Sequence, residues 1–168
     1  EDLANTIAKL RDCGRTSRYS HDVKGFTSRL NTANAAIGLV QLKRLDGWNE
    51  RRRTIAKRYS DKLRHLESVE LPPMGDREVK PVFHLYAIGL EDRDGLAQHL
   101  QGEGISTAVH YPIPIHLQPA YGSSCGYREG DYPISERLSR RLLSLPMFPS
   151  MSDEQVDRVC ESILRYLA

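Results

Sequence analysis

The sequence predicts an α+β domain, a small mixed or antiparallel sheet covered by helices, and three observations lead there. Helices come first along the chain, followed by strand, helix, strand, loop and helices. Two short runs rich in β-branched and aromatic residues, Val82–Ile88 and Ile105–Tyr111, have the composition of strands. The closing segment combines Ser152-Asp153-Glu154-Gln155, a capping box, with Val156, Val159, Cys160, Ile163, Leu164 and Leu167 on one helical face. Segregated helices and a small number of strands are the pattern of an α+β layer structure.

Each element has its own signal. Residues 2–12 carry Leu3, Ile7 and Leu10 at helical spacing and end at Gly14, a C-terminal stop. Residues 15–30 form a polar connector with Tyr19, His21, Arg18 and Lys24, leading into a turn at Gly25. A long helical region over 32–66 follows, bent or broken near Asp46-Gly47 because glycine weakens a helix. Its first half, 33–45, is apolar on nearly every face, which suits a helix enclosed by protein on most sides. Its second half places Ile55, Tyr59 and Leu63 at spacings of four with arginines opposite, so it lies on a surface.

Pro72-Pro73 forces an extended break, and 75–80 is a charged loop. A buried strand is expected over 81–90, a helix over 93–101 stopping at Gly102 and Gly104, and a second strand over 105–111. Residues 112–133, full of Pro, Gly, Tyr and Ser, read as an ordered loop and not as helix or strand. Tyr121, Tyr127 and Tyr132 give it an aromatic content typical of loops that line a site. A short helix at 135–143 and an extended apolar strip at 145–149 precede the last helix. The resulting division is a connector over 1–31, a linking helix region over 32–66 and a small α+β domain over 67–168.

Composition narrows the function classes. The chain has 168 residues, 39% hydrophobic and 27% charged, as a soluble single domain would. It contains no apolar run of membrane-spanning length and no export leader, so a cytoplasmic location is expected. A net charge of +2 gives no general attraction to nucleic acid, and the basic runs Arg51-Arg52-Arg53 and Arg137–Arg141 read as solvated helix faces. Cys13, Cys125 and Cys160, odd in number and unpaired in spacing, read as reduced thiols with no zinc signature. The helical period begins at Leu3 with no capping residue before it, so a piece of a longer chain is expected.

No self-sufficient catalytic constellation occurs: there is no phosphate-binding glycine loop, nucleophile elbow or HExxH pair. The most suggestive stretch is His110-Tyr111-Pro112-Ile113-Pro114-Ile115-His116. Its two prolines stiffen the backbone so that His110, Tyr111 and His116 are displayed either to a polyhydroxylated or phosphorylated ligand or to the neighbouring tyrosines as packing. A metal would need further ligands, and none is suitably spaced. The second stretch is Thr27-Ser28-Arg29 at the entry to a helix. Two hydroxyls and a guanidinium there either hold a phosphate or serve as turn cap and ion pair.

Taken in order, Tyr19-x-His21, Gly25-Phe26-x-Ser28-Arg29-Leu30, Ala35-Ala36, Leu45-Asp46-x-Trp48-Asn49-x-Arg51-Arg52, Phe83-His84-Leu85-Tyr86, Gly104-Ile105-x-Thr107, His110–Tyr121, Gly130-Asp131-Tyr132-Pro133 and Leu145-Pro146-Met147-Phe148-Pro149 resemble the DegT/StrS family of pyridoxal-phosphate (PLP) sugar aminotransferases over virtually the whole chain. The resemblance implies the carboxyl-terminal portion of a fold type I PLP-dependent enzyme, with the Schiff-base lysine preceding residue 1, so that Lys24 is not that lysine and no catalytic residue lies in this chain. It implies a homodimer in which Thr27, standing where the family carries an asparagine, and Arg29 reach cofactor phosphate. It places His110, Tyr111, His116, Arg29 and His21 toward a nucleotide-sugar, with a lean to 3-keto sugars and glutamate as amino-acid donor. No nucleic acid, membrane or metal partner is implied. Two alternatives remain, a non-catalytic sensory or regulatory module, which Thr27 favours, and the PLP-dependent sugar dehydratase branch.

Overall fold

The computed structural model describes residues 2–168. The chain divides into two compact units, Glu1–Leu45 and Asp46–Ala168. The helix after residue 45 buries Ile55, Ala56, Tyr59 and Leu63 in the same core as the later elements.

The first unit holds α1 (Asp2–Leu10) and α2 (Thr32–Leu42). Between them the chain folds back on itself: Cys13 N–H donates to Phe26 O at 2.9 Å, Phe26 N–H to Leu10 O at 2.7 Å and Ser28 N–H to Arg11 O at 2.9 Å. Glycine is required at both crossing points. Gly14 has φ +75°, and a Cβ there would lie 1.7 Å from Val23 O. A Cβ on Gly25 would lie 2.1 Å from the Gly14 nitrogen. Asn31 caps α2 by accepting from Asn34 N–H at 2.8 Å, so neither Thr27 nor Ser28 is the cap. No residue of α2 is buried within the unit.

All of α3 (Leu45–Leu63) but its first residue belongs to the second unit. The break between α2 and α3 falls at Lys43-Arg44, three residues before the expected glycine: Arg44 N–H turns back to Gln41 O at 2.9 Å, and Gly47 stays helical. The sheet is a single antiparallel pair, β1 (Tyr86–Gly89) with β2 (Leu142–Leu145), in the register Tyr86↔Leu145 to Gly89↔Leu142. Single bridges widen it, Glu70 to Gly89 on one edge and Ala108 to Ser144 on the other. Around it stand α4 (Arg93–Gly102), α6 (Pro133–Arg141) and α7 (Asp153–Leu167). Tyr59, Tyr86, Ile88, Leu96, Leu100, Val156 and Ile163 fill the shared core at 0% exposure, so helices from both ends of the unit close on the two strands.

Several expected elements are shorter or different, each for a physical reason. The strand expected over 81–90 keeps only its second half. Phe83 adopts φ 49°, and α3 arginines take the carbonyls before β1: Arg53 Nε donates to Pro81 O, and Arg52 Nη1 to Phe83 O and His84 O. The strand expected over 105–111 reduces to the bridge at Ala108, because Ile105 N–H is spent on Leu100 O at the end of α4. Within 112–133, expected to be neither helix nor strand, the chain forms a 3₁₀ turn (Ile115–Leu117) and α5 (Pro119–Cys125), which starts on a proline and stops at left-handed Gly126. Helix α6 starts at Pro133 and ends at Arg141, where the chain turns directly into β2. The capping box of α7 forms as expected, with Ser152 Oγ accepting from Gln155 N–H and Gln155 Oε1 from Ser152 N–H.

In the basic runs Arg137 and Arg140 are exposed as expected, while Arg51 and Arg141 are structural ties. Arg51 donates to Met151 O and Asp153, and Arg141 pairs with Glu70 and Glu91. Among the described residues no helix is long and apolar enough to cross a membrane, and no group of three or more His, Cys, Asp or Glu is placed to hold a metal ion.

Candidate functional site

A cavity of about 520 Å³ opens in the second unit between the 110–116 segment and α6. His110, Tyr111, Ile113, Pro114 and His116 form one wall, Tyr121, Tyr127 and Tyr132 another, and Ser135, Leu138, Ser139 and Leu142 the floor. The 3₁₀ turn after Pro114 places His116 inward at 7% exposure, while Tyr111 stays 73% exposed at the mouth. His110 is anchored through Nδ1, 3.0 Å from Ser144 Oγ on β2, and the bridge at Ala108 fixes the backbone just before it. The His110–Tyr111 peptide is cis.

The rings form a continuous patch. His116 lies 4.8 Å from Tyr132 and 6.5 Å from Tyr127 between centroids, and the two tyrosines are 5.8 Å apart and nearly perpendicular. A hydrogen bond with Tyr132, followed by charge repulsion from it, pushes the Tyr127 phenol up from its ordinary pKa. The Tyr127 phenol therefore stays neutral and able to donate near neutral pH. Flat apolar faces with hydroxyl and imidazole edges suit the ring faces and hydroxyl margin of a sugar.

Sequence reasoning found the two histidines, Tyr111 and the three tyrosines, and missed Glu136. Its carboxylate is 2.9 Å from His116 Nε2 and is 3% exposed as a residue. Burial pushes this carboxyl up, but the His116 hydrogen bond and the Gly130 and Tyr132 amides outweigh it, leaving the pKa below the usual glutamate range. In the sequence an acid in the first turn of a helix that begins with proline looks like an ordinary partner for the helix dipole, and nothing local signals its burial.

Thr27, Arg29 and His21 lie in the first unit. Thr27 is exposed, its Oγ1 3.4 Å from Cys13 Sγ, and its backbone bridges Asp12. Arg29 is exposed and its Nε is 3.5 Å from Asp12 Oδ1, while His21 is exposed and bridges Arg15. Ser28 is exposed as well, so two hydroxyls and a guanidinium face solvent within this short stretch.

The DegT/DnrJ/EryC1/StrS aminotransferase family matches this chain over residues 1–164. The chain belongs to that family. It is 38% identical over 96% of its length to the erythromycin biosynthesis sensory transduction protein EryC1 of Saccharopolyspora erythraea, and covers 43% of that protein. It is 39% identical over 96% of its length to a dTDP-3-amino-3,4,6-trideoxy-alpha-D-glucose transaminase of Streptomyces venezuelae, covering 42% of it. Among solved structures, S. venezuelae DesV in complex with a ketimine intermediate superposes with a TM-score of 0.92 at 38% identity, over 99% of this chain and 44% of that one. The chain thus spans less than half the length of these relatives, and the DegT/StrS resemblance read from its motifs is borne out along with the α+β layout.

Proposed function

We propose that this chain supplies the sugar-facing portion, and a subunit-bridging segment, of a PLP-dependent aminotransferase that carries an amino group from an amino acid, glutamate first among candidates, to a keto nucleotide-sugar. The observation that carries this reading is the imidazole and phenol wall at His110, Tyr111 and His116, set in a chain that matches a sugar aminotransferase family nearly end to end. His110, held by Ser144, and Tyr111 at the mouth orient the sugar, and the tyrosine faces pack against its ring. A 3-keto sugar is supported by the 3-amino product named for the Streptomyces relative.

The residues present fit the cofactor phosphate: Thr27 and Arg29 would hold it, assisted by Ser28, in a homodimer whose subunits exchange these groups. When bound, the cofactor supplies the electron sink for moving the amino group. Arg29 and His21 would add contacts to the nucleotide-sugar, and the cytoplasm is the location proposed. In this reading no lysine of this chain takes the Schiff-base role, so these 168 residues by themselves are expected to be inactive.

Mass spectrometry tests the reading. The intact protein, given PLP, L-glutamate and a dTDP-3-keto-6-deoxyhexose, is expected to yield the amino sugar and 2-oxoglutarate; loss of water from the sugar with no nitrogen gained would instead select the dehydratase branch. A sensory reading is favoured by the name of the Saccharopolyspora relative and by Thr27. Tight sugar binding without any product would support it.

A further inference from the structure

Glu136 is 3% exposed in the first turn of α6, yet it is ringed by donors. Gly130 N–H reaches Oε1 at 2.9 Å and Oε2 at 3.1 Å, Tyr132 N–H reaches Oε1 at 3.3 Å, and His116 Nε2 is 2.9 Å from the same oxygen. An ionised carboxylate only accepts, so the imidazole proton facing it sits on Nε2, and Nδ1 is the nitrogen left for other partners. The same carboxylate grips the turn that ends in Tyr132, whose ring lies 4.8 Å from that of His116. One side chain therefore governs the orientation of both rings.

We infer that Glu136 is a positioning residue of the sugar site: it fixes the His116 proton on Nε2 and clamps the Gly130–Tyr132 turn, so that imidazole and phenol meet a nucleotide-linked sugar as one rigid wall. The identity of the ligand rests on the aminotransferase reading above, and the placement of the proton does not. A purely structural glutamate would affect melting temperature alone. A positioning one also sets the tautomer of His116 and the affinity for the sugar.

The test is Glu136→Gln in the intact protein. Glutamine offers one acceptor and one NH₂ where the carboxylate offered two acceptors. With its oxygen at the Oε1 place, where it accepts from Gly130, Tyr132 and His116, its NH₂ takes the Oε2 place against the Gly130 N–H, so the His116 proton loses a charged acceptor and the turn loses one hold. In ¹⁵N-histidine spectra, with His116 assigned by comparison with His116→Gln, the parent is expected to show Nε2 protonated with its proton signal far downfield, and the variant the same signal moved upfield. The KM for the keto nucleotide-sugar is expected to rise about tenfold, while the half-reaction with glutamate changes by less than about twofold. An unmoved His116 signal together with an unchanged KM overturns the proposal, whatever the melting temperature does. Should Glu136→Gln not fold, His116→Gln decides: it keeps the clamp on the turn, and an unchanged KM in that variant also overturns the proposal. A protein without turnover in which the His116 signal still moves would remove the aminotransferase reading and leave the positioning role standing. Turnover with His116 unmoved and KM unchanged would do the reverse.

Discussion

Arg52 shows how much one side chain sets. From α3 its Nη1 donates to the carbonyls of Phe83 at 3.3 Å, His84 at 3.2 Å and Met147 at 3.1 Å, tying the approach to β1 to the segment after β2. Arg52→Ala leaves these acceptors without that donor and is expected to lower unfolding free energy by about 2–3 kcal/mol in urea titrations. Asp157 makes a pH-dependent tie. Hydrogen bonding from Arg58 at 2.6 Å, against the cost of burial, brings its pKa from 3.8 down to about 2. A depressed carboxylate contributes stability that is complete above its unfolded pKa and is lost as pH falls through the folded one, here between about pH 4 and pH 2. Asp157→Asn is therefore expected to cost roughly 1–2 kcal/mol at neutral pH and to flatten the stability profile in that window. At this scale His110, Tyr111 and His116 were legible because two prolines and a cluster of tyrosines mark them. Glu136 and the ties made by Arg51, Arg52 and Arg141 were not, since both depend on which carbonyls, carboxylates and rings arrive from residues far along the chain.

Elements whose boundaries depend on local chemistry were legible, and those settled by distant partners were not. Helix α7 carries its own start signal, and Ser152→Ala is expected to cost about 1 kcal/mol in denaturant titrations, the usual loss for a removed N-cap. The segment before β1 has strand composition throughout, but α3 arginines take its carbonyls before any strand can, so its first half stays irregular. The fold-back in the first unit rests on backbone passing against backbone at Gly14 and Gly25. In Gly25→Ala the added carbon meets the Gly14 amide, the Cys13 carbonyl carbon and the Leu10 carbonyl oxygen, all main-chain atoms that cannot swing aside. That variant is expected to open the 10–28 region to trypsin, read by limited proteolysis, with the 46–168 unit resisting cleavage as before.

At the scale of the molecule, burial sorts the chain by what it needs from outside. The second unit fills its own core, whereas Ile37, Leu39, Val40 and Leu42 on α2 are all more than half exposed. An apolar helix of that kind requires a covering surface, so these 168 residues alone are expected to self-associate, with Leu39→Glu/Val40→Glu shifting light scattering toward monomer. The proposed chemistry is divided in the same way: a sugar wall and a phosphate-holding segment are assigned to this chain, and the Schiff-base lysine is not. The central claim is that these pieces serve amino transfer, and absorbance spectroscopy of the intact protein tests it most directly. Incubated with PLP, the protein is expected to turn yellow, and L-glutamate is expected to abolish that band. A protein that stays colourless, or a band that glutamate leaves untouched, would contradict the account.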